Sequence, residues 1–298
     1  MNGLILIDKP AGCTSHDVVN RLRKLAGTKR IGHLGTLDPM ATGLLALLAG
    51  PATRLAPFFQ RAEKSYHAVI KFGLISDTYD LEGDVKATGA ALPSGDEVRA
   101  ALGAFRGKVL QTPPPVSAKK IGGVPAYKLV RKQIPVTMKP TEVEITELAV
   151  KNVAENTLEL DVTCSAGTYV RSVAHDLGEL LGCGAILSQL RRTRVGAFSI
   201  SDARTLDELA VLSAAGILEQ GVILAGELLA HIPAERVSAG VEAQIRQGRR
   251  FRTSPFVVSP GAPLVRALSR SGDLIAIGKM VIPNLYQPST VFQAEVAE

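Results

Sequence analysis

One aspartate lies in a loop whose residue types are unusual for a simple connection. Residues 30–44 read Arg-Ile-Gly-His-Leu-Gly-Thr-Leu-Asp-Pro-Met-Ala-Thr-Gly-Leu, and Asp38 is the carboxylate among them. Glycines allow the backbone to turn tightly or to approach a ligand, and Pro39 restricts the backbone of the residue before it. An aspartate before a proline is by itself an ordinary turn former. Within this loop, however, the carboxylate is directed to one place, as acid–base or nucleophilic chemistry requires.

Clusters of lysine and arginine indicate a polyanionic partner. The chain of 298 residues has 34 Lys and Arg against 28 Asp and Glu, a formal net charge of +6 and a pI near 9.3. Clusters spread along a chain suit a long phosphate backbone better than a small anion. The clusters lie at residues 21–30, 119–120, 191–194 and 246–252.

Helical and strand-like segments surround the Asp38 loop without a regular βαβ period. This mixture predicts an α+β fold in which helices flank a mixed, largely antiparallel sheet. The apolar run at residues 44–48 predicts buried structure that fixes the end of the loop, and a helix ending at Gly27 begins at Thr14 or Ser15. Strands are predicted at residues 1–8, 66–72, 142–148, 158–164 and 195–200, and further helices at 97–105, 176–190 and 205–212.

The pattern changes near residue 230. Short strands separated by turn signals follow from about residue 232, with the spacing of a small β-barrel or sandwich. A boundary at this point divides the chain into residues 1–230 and an appended module of residues 231–298. A length of 298 residues also suits two domains, since about 150 residues per domain is usual.

Several common chemistries are excluded. Cys13, Cys164 and Cys183 are odd in number and far apart, which indicates neither a disulfide framework nor a zinc site. The five histidines form no metal-ligand pattern, and the signatures of P-loop, zincin and α/β-hydrolase sites are missing from the sequence. No uninterrupted apolar stretch approaches the roughly 20 residues of a membrane helix, and the N-terminus lacks a basic leader. The sequence therefore predicts a cytoplasmic protein without a metal.

Several short motifs follow one another in a fixed order. Residues 32–43 contain Asp38, Lys64-Ser65-Tyr66 begins a strand, and Gly167-Thr168-Tyr169-Val170-Arg171 precedes a helix. With residues 7–15, 77–83 and 113–127, these motifs resemble the TruB-type tRNA pseudouridine-55 synthases, which isomerise a uridine in the T-loop of tRNA. The tail from about residue 232 resembles the PUA RNA-binding module. Leu34 departs from the small hydroxyl residue usual in the family, and Cys13 is unusual after the Lys-Pro turn.

The resemblance implies catalytic roles for Asp38, Arg171 and Tyr66 and a substrate-binding role for His33. Asp38 corresponds to the catalytic carboxylate, and Arg171 to a partner that orients it and lowers its pKa. Tyr66 is expected to stack on the target uracil and to assist removal of the C5 proton; without the resemblance, a core tyrosine is as good an interpretation. His33 is expected to fill the stack that a flipped uridine leaves. The isomerisation requires no cofactor.

Further residues receive substrate-binding roles from the same resemblance. Asp77 and Asp80 are expected to hydrogen-bond the flipped nucleotide, although solvated loop carboxylates are the plainer interpretation. Lys9, Tyr169 and Leu190 are expected to line the pocket. The phosphate contacts are expected to be Lys64, Lys119, Arg191 and Arg192.

Alternatives remain open at this point. The leading hypothesis is a stand-alone, monomeric enzyme that acts on the T-arm of tRNA without a guide RNA. A second hypothesis keeps the chemistry but assigns another uridine or a guide-directed target. A third is a tRNA-folding chaperone in which Asp38 is structural, and this activity can coexist with the first. Attack by Asp38 on sugar or base and removal of a sugar proton by Asp38 both agree with the sequence.

Overall fold

The apolar run after the Asp38 loop forms an inner strand of a ten-stranded sheet in the computed structural model, which describes residues 1–117 and 119–292. The strands are β1 (Gly3–Lys9), β2 (Ile31–His33), β3 (Thr42–Ala49), β4 (Lys64–Phe72), β5 (Leu74–Ile75), β6 (Lys86–Ala87), β7 (Gly107–Gln111), β8 (Lys120–Ile121), β9 (Val124–Pro125), β10 (Thr141–Ala154), β11 (Thr157–Cys164), β12 (Ala185–Val195), β13 (Phe198–Ser199), β14 (Ile223–Leu224), β15 (Ala234–Arg236), β16 (Phe251–Arg252), β17 (Leu264–Leu268), β18 (Leu274–Ile282) and β19 (Leu285–Val291). The α-helices are α1 (Ser15–Leu25), α2 (Ala56–Phe59), α3 (Gly95–Ala101), α4 (Ala126–Val130), α5 (Val170–Leu180), α6 (Leu206–Ala214) and α7 (Ala239–Arg246).

The large sheet is mixed and mostly antiparallel. Its main path runs β14-β1-β3-β12-β4-β11-β10-β7, with β2 paired to β3 and β13 to β12. Among the described strands of this sheet, β3 and β12 are paired in parallel and the other pairs are antiparallel. The predicted α+β fold is confirmed.

Strand β3 is buried on both faces because successive side chains point in opposite directions. Leu45 and Leu47 pack with α1 and α6 on one face, while Leu44, Ala46 and Leu48 pack with α2 on the other. Helix α1 starts with a capping box in which Thr14 accepts from Asp17 N–H, as the sequence predicts for one of its two candidate caps. The end of the Asp38 loop is thus fixed by a strand that belongs to two cores.

Strand β4 alternates between core and surface. Lys64, Tyr66, Ala68, Ile70 and Phe72 are buried, whereas the residues between them are partly exposed. Val173, Ala174 and Leu177 of α5 pack over this buried face. The packing of α5 places Arg171, in the first turn of α5, beside the row that contains Tyr66.

Two sequence-based boundaries are wrong. The helix expected over residues 176–190 is instead the second half of α5 followed by β12, because Gly182 and Gly184 adopt positive φ angles of 71° and end the helix. The strand expected over residues 195–200 is the end of β12 and the short β13. Leu190 therefore lies on a strand, not on a helix.

A five-stranded sheet, ordered β15-β17-β18-β19-β16, forms the C-terminal part of the chain. This sheet curls into a half-barrel that fits a PUA-like module, and α7 packs beside it. Leu274, Ile277 and Phe292 of this part join the core cluster that contains Leu4 and Leu6 of β1. The predicted module of residues 231–298 extends past the described residues, which end at 292.

None of the helices formed by residues 1–117 and 119–292 has the length and apolar character needed to cross a membrane.

Candidate active site

The loop that carries Asp38 connects β2 to β3 and is held by one buried arginine. The guanidinium of Arg192 donates to the carbonyl oxygens of Leu44 at 2.7 Å, Thr36 at 3.2 Å and Gly35 at 3.1 Å. Only 1% of Arg192 is exposed. Gly43 is required beside Arg192, because an added Cβ would lie 2.3 Å from the Arg192 carbonyl oxygen. The loop backbone is therefore fixed by a buried cation rather than by a ladder of strand hydrogen bonds.

The first residues of the chain support the loop from the opposite side. Ser15 Oγ accepts from Leu37 N–H at 2.7 Å and donates to the Leu37 carbonyl oxygen at 3.0 Å. Lys9 is fully buried, and its Nζ donates to the carbonyl oxygens of Pro10 at 2.8 Å and Pro39 at 3.2 Å. Burial lowers the pKa of Lys9 from its ordinary value. The residues on both sides of Asp38 are thus anchored.

Asp38 meets Arg171 through two pairs of atoms. Arg171 Nη2 donates to Asp38 Oδ1 at 3.1 Å, and Arg171 Nε lies 3.0 Å from Oδ2 in a charge contact that is not an aligned hydrogen bond. On its other side, Arg171 Nη1 donates to Asp80 Oδ2 and to the Thr78 carbonyl oxygen, both at 3.1 Å. Arg171 thus bridges a carboxylate in the cleft and a carboxylate in the protein interior.

The pKa of Asp38 is raised from its ordinary value of 3.8 because burial removes water from the carboxylate. The positive charge of Arg171 opposes this shift, while the negative charge of Asp80 adds to it. The Asp38 side chain nevertheless remains 37% exposed through the cleft. Arg171 thus lowers the pKa of Asp38, as the sequence analysis expects, but burial outweighs this contribution and the net shift is upward.

The Asp38 carboxylate faces a cleft of about 400 Å³. Tyr66 forms one wall, and burial raises the pKa of its phenol, while the positive charge of Arg192 opposes that shift. His33 lies at the exposed rim, where partial loss of water and the charge of Arg192 lower its pKa. A histidine with a lowered pKa is neutral near pH 7, and a neutral ring is suited to stacking between bases.

Tyr169 forms a further wall immediately before α5. Gln111 holds its backbone from both sides: Tyr169 N–H donates to Gln111 Oε1 at 2.8 Å, and Gln111 Nε2 donates to the Tyr169 carbonyl oxygen at 3.0 Å. Burial raises the pKa of the Tyr169 hydroxyl. The start of α5, and with it Arg171, is thus tied to the end of β7.

The structure brings most of the predicted site residues to one cleft. They are Asp38, Tyr66, Arg171, His33, Lys64, Tyr169 and Leu190. Lys64 is largely buried, donates to the Ala62 carbonyl oxygen at 2.8 Å, and has a pKa lowered by burial. No group of three or more potential metal ligands occurs in the described residues.

Three predicted site residues do not line the cleft. Lys9 supports the Asp38 loop, and Asp80 is 1% exposed and bound to Arg171. Asp77 is exposed and accepts from Asp84 N–H at 2.9 Å. Direct binding of a nucleotide by these residues stays a prediction, and the contacts made by Lys9 and Asp80 are those of supporting groups.

The predicted phosphate contact at Arg192 is wrong, because its guanidinium is buried and bonded to three carbonyl oxygens. Its neighbour Arg191 points the other way and pairs with Asp8 at 2.7 Å. Two adjacent arginines look equivalent in a sequence, and strand alternation separates them only once the segment is recognised as a strand. Sequence analysis also missed the support that Ser15, noted only as a motif residue and candidate helix cap, gives to the Asp38 loop. It missed Gln111 altogether, which carries no motif of its own.

Comparison with known proteins agrees with this geometry. Residues 23–170 match the model of the TruB family pseudouridylate synthase N-terminal domain, and residues 171–230 match that of the tRNA pseudouridylate synthase B C-terminal domain. The tRNA pseudouridine synthase B of Solibacter usitatus is 47% identical over 292 residues, which cover 98% of this chain and 100% of the relative. That of Aquifex aeolicus is 41% identical over 253 residues, which cover 84% of this chain and 87% of the relative.

A solved chain from an H/ACA RNP bound to a substrate RNA containing 2′-deoxyuridine has the same fold. Its TM-score is 0.71 at 22% identity, over 98% of this chain and 85% of that chain. The chain belongs to the TruB family of pseudouridylate synthases. The family resemblance of the motifs and the prediction of a pseudouridine-forming isomerase are confirmed.

Proposed function

We propose that this enzyme isomerises uridine-55 in the T-loop of tRNA to pseudouridine, with Asp38 as its catalytic carboxylate. The observation that carries the proposal is the position of Asp38. The carboxylate faces a cleft of about 400 Å³ and is held through both oxygens by Arg171. Tyr66 and His33 contribute to the same cleft.

The reaction breaks the bond between N1 and C1′, turns the uracil, and joins C5 to C1′. C5 then loses its proton and N1 gains one, so the oxidation state does not change. Asp38 serves either by attacking the sugar or base or by removing a sugar proton, and both routes require its ionised form. Arg171 favours that form and fixes the direction of the carboxylate.

Tyr66 and His33 have separate tasks in the proposal. A stacked uridine reaches Asp38 only after it flips out of the RNA, which costs on the order of a few kcal/mol. His33, at the exposed rim, occupies the vacated place between bases, while Tyr66 stacks on the flipped uracil inside the cleft. We assign assistance in removal of the C5 proton to the Tyr66 hydroxyl, whose pKa the positive charge of Arg192 lowers against the effect of burial. Leu190 and Tyr169 complete the pocket.

One segment provides the electrostatic attraction for RNA. Residues 98–141 contain nine Lys and Arg and no Asp or Glu, whereas the rest of the chain has 25 basic and 28 acidic residues. The segment reaches the site, because the Val116 carbonyl oxygen accepts from Arg171 Nη2 at 3.1 Å. Its exposed cations are Arg99, Arg106, Lys108, Lys120, Lys128, Arg131, Lys132 and Lys139. Such a surface favours a phosphate backbone and gives salt-dependent binding.

The choice of tRNA, without a guide RNA, is supported by the relatives. Those that match along nearly the whole chain are named tRNA pseudouridine synthase B. The solved complexes with H/ACA components are 22% identical and share the fold alone. A single chain carries every residue that the mechanism uses, so a monomer is sufficient.

Release of tritium from C5-labelled uridine tests the proposal. Wild type is expected to release tritium from a tRNA T-arm stem-loop labelled at position 55, and Asp38→Asn is expected to bind the stem-loop without releasing tritium. Stem-loops with the uridine moved by one position serve as controls for site selection. Release by Asp38→Asn would contradict the role of Asp38. Tight binding without release by wild type would favour the folding-chaperone alternative.

A further inference from the structure

Tyr79 adopts a backbone conformation that its residue type rarely permits. Its φ angle is +66°, in the left-handed region where Cβ crowds the neighbouring backbone. Tyr79 lies between Thr78 and Asp80, whose carbonyl and carboxylate oxygens both bind Arg171 Nη1 at 3.1 Å. The unusual conformation of Tyr79 therefore occurs between the two residues, Thr78 and Asp80, that hold Arg171.

A ring stack accompanies this strained backbone. The rings of Tyr79 and His175 are parallel within 4°, and their centres lie 3.8 Å apart. The Tyr79 carbonyl oxygen also accepts from Leu187 N–H of β12 at 3.0 Å. His175 follows Arg171 by four residues on α5, which is about one helical turn. The stack thus fastens the turn to the same helix that carries Arg171.

The rest of the turn is tightly constrained. Asp80 Oδ1 accepts from Thr78 Oγ1 at 2.6 Å and from Glu82 N–H at 2.9 Å. At Gly83, an added Cβ would lie 2.1 Å from Asp77 Oδ1. The turn therefore behaves as one unit, and its position relative to α5 decides where Asp80 and the Thr78 carbonyl meet Arg171.

We infer that Tyr79 and His175 are positioning residues for the isomerisation, because their stacked rings hold the turn of residues 76–84 against α5. Neither ring is among the described residues that line the cleft. Their effect on the reaction passes through Asp80 and Arg171 to the direction of the Asp38 carboxylate. The role in catalysis rests on the proposed function, whereas the holding of the turn does not.

Substitutions that keep or remove a flat ring separate positioning from simple packing. His175→Leu and Tyr79→Leu remove the stack, whereas His175→Phe and Tyr79→Phe retain two rings. The Leu variants are expected to slow single-turnover tritium release by about 10- to 100-fold, since small misplacements of a reacting group have effects of this size. Equilibrium binding of the T-arm stem-loop is expected to stay unchanged, and the Phe variants are expected to restore the rate.

Two further variants distinguish the ring stack from backbone strain and from a general loss of aromatic packing. Tyr79→Gly relieves the strained φ angle but removes the ring, and it is expected to be as slow as Tyr79→Leu. Phe251→Leu removes one ring from the Phe251–Tyr286 pair, whose centroids are 5.9 Å apart and whose residues do not line the cleft. Phe251→Leu is expected to lower the melting temperature without slowing release. The inference would be overturned if Tyr79→Leu and His175→Leu lowered the melting temperature but released tritium at the wild-type rate.

Hydrogen–deuterium exchange provides a measurement that needs no substrate. His175→Leu is expected to accelerate exchange in peptides covering residues 76–84, and His175→Phe is expected to leave exchange at the wild-type rate. Unchanged exchange in His175→Leu would overturn the inference by itself. Inactivity of wild type on the T-arm would instead contradict the proposed function, and the exchange result would still decide whether the stack holds the turn.

Discussion

Asp80 Oδ2 lies 3.1 Å from Arg171 Nη1, and the two side chains are 1% and 6% exposed. The same guanidinium contacts Asp38, whose side chain is 37% exposed through the cleft. Asp80 thus anchors Arg171 inside the protein, and Arg171 in turn orients the carboxylate of Asp38. Because Arg171 is bonded on several sides, its plane cannot turn without breaking contacts with Asp80 or with the Thr78 and Val116 carbonyl oxygens.

Replacement of Arg171 by lysine tests the need for a two-atom contact. Arg171→Lys keeps a positive charge but is expected to release tritium about 100-fold more slowly, because a single ammonium group cannot hold both Asp38 oxygens and the Asp80 carboxylate. Binding of the T-arm stem-loop is expected to stay near the wild-type value. Single-turnover release and a binding titration measure the two quantities.

Arg266→Lys serves as a control for the loss of a guanidinium. Arg266 lies on β17, away from the cleft, and donates to the carbonyl oxygens of Gly226, Leu228 and Ile232. Its replacement is expected to leave the release rate unchanged. Equal rates for Arg171→Lys and wild type would show that charge alone is sufficient.

The pH dependence of tritium release reports the ionisation of Asp38. Because burial raises the pKa of Asp38 from 3.8, the rate is expected to fall in acid at a higher pH than it would for an exposed aspartate. The negative charge of Asp80 adds to this shift and the positive charge of Arg171 opposes it. The acid limb of kcat/KM is therefore expected to move to lower pH in Asp80→Asn and to higher pH in Arg171→Gln.

The result specific to this electrostatic account is that the acid limbs of Asp80→Asn and Arg171→Gln move in opposite directions. Both variants lose contacts around Arg171, so both are expected to be slower than wild type at every pH. A general loss of structure would shift the two limbs in the same direction or leave them in place. Such a result would contradict the electrostatic account of the Asp38 pKa.

The Tyr66 hydroxyl is expected to act after the uracil has turned. Burial raises the pKa of this phenol, whereas the positive charge of Arg192 lowers it. Tyr66 can take the C5 proton only as its phenolate, the form that the charge of Arg192 favours. Tyr66→Phe keeps the ring and is expected to bind RNA normally, but to release C5 tritium about 100-fold more slowly, as for the loss of a general base. Unchanged release by Tyr66→Phe would restrict Tyr66 to stacking.

The sequence predicts the Asp38 loop, β4 and the start of α1 well because each carries a local signal. Gly and Pro mark the loop, alternation marks β4, and Thr14 with Asp17 marks the start of α1. The helix predicted over residues 176–190 is wrong because Ala185–Val195 has an apolar pattern that also suits a helix. Pairing with β4 and β3 makes that segment a strand, and such pairing is not a local property.

The supporting residues of the site are harder to predict than the reacting ones. Asp38 and Arg171 occur in distinctive motifs, whereas Ser15, Gln111 and Arg192 are common residue types. Their contacts join positions that are 22 residues apart for Ser15, 58 for Gln111 and 148 to 157 for Arg192. Spacing and composition contain no information on such contacts until the sheet order is known.

Arg192 and Arg191 provide a matched test of buried support, since they are neighbours on β12 with opposite surroundings. Arg192→Met leaves the carbonyl oxygens of Gly35, Thr36 and Leu44 without their shared donor, and it is expected to lower the free energy of unfolding by about 3 kcal/mol. Arg191→Met removes an ion pair with Asp8 in which the arginine side chain is 42% exposed. The loss expected there is less than about 1 kcal/mol. Urea denaturation measures both values, and equal losses would contradict the assignment of Arg192 as the residue that fixes the Asp38 loop.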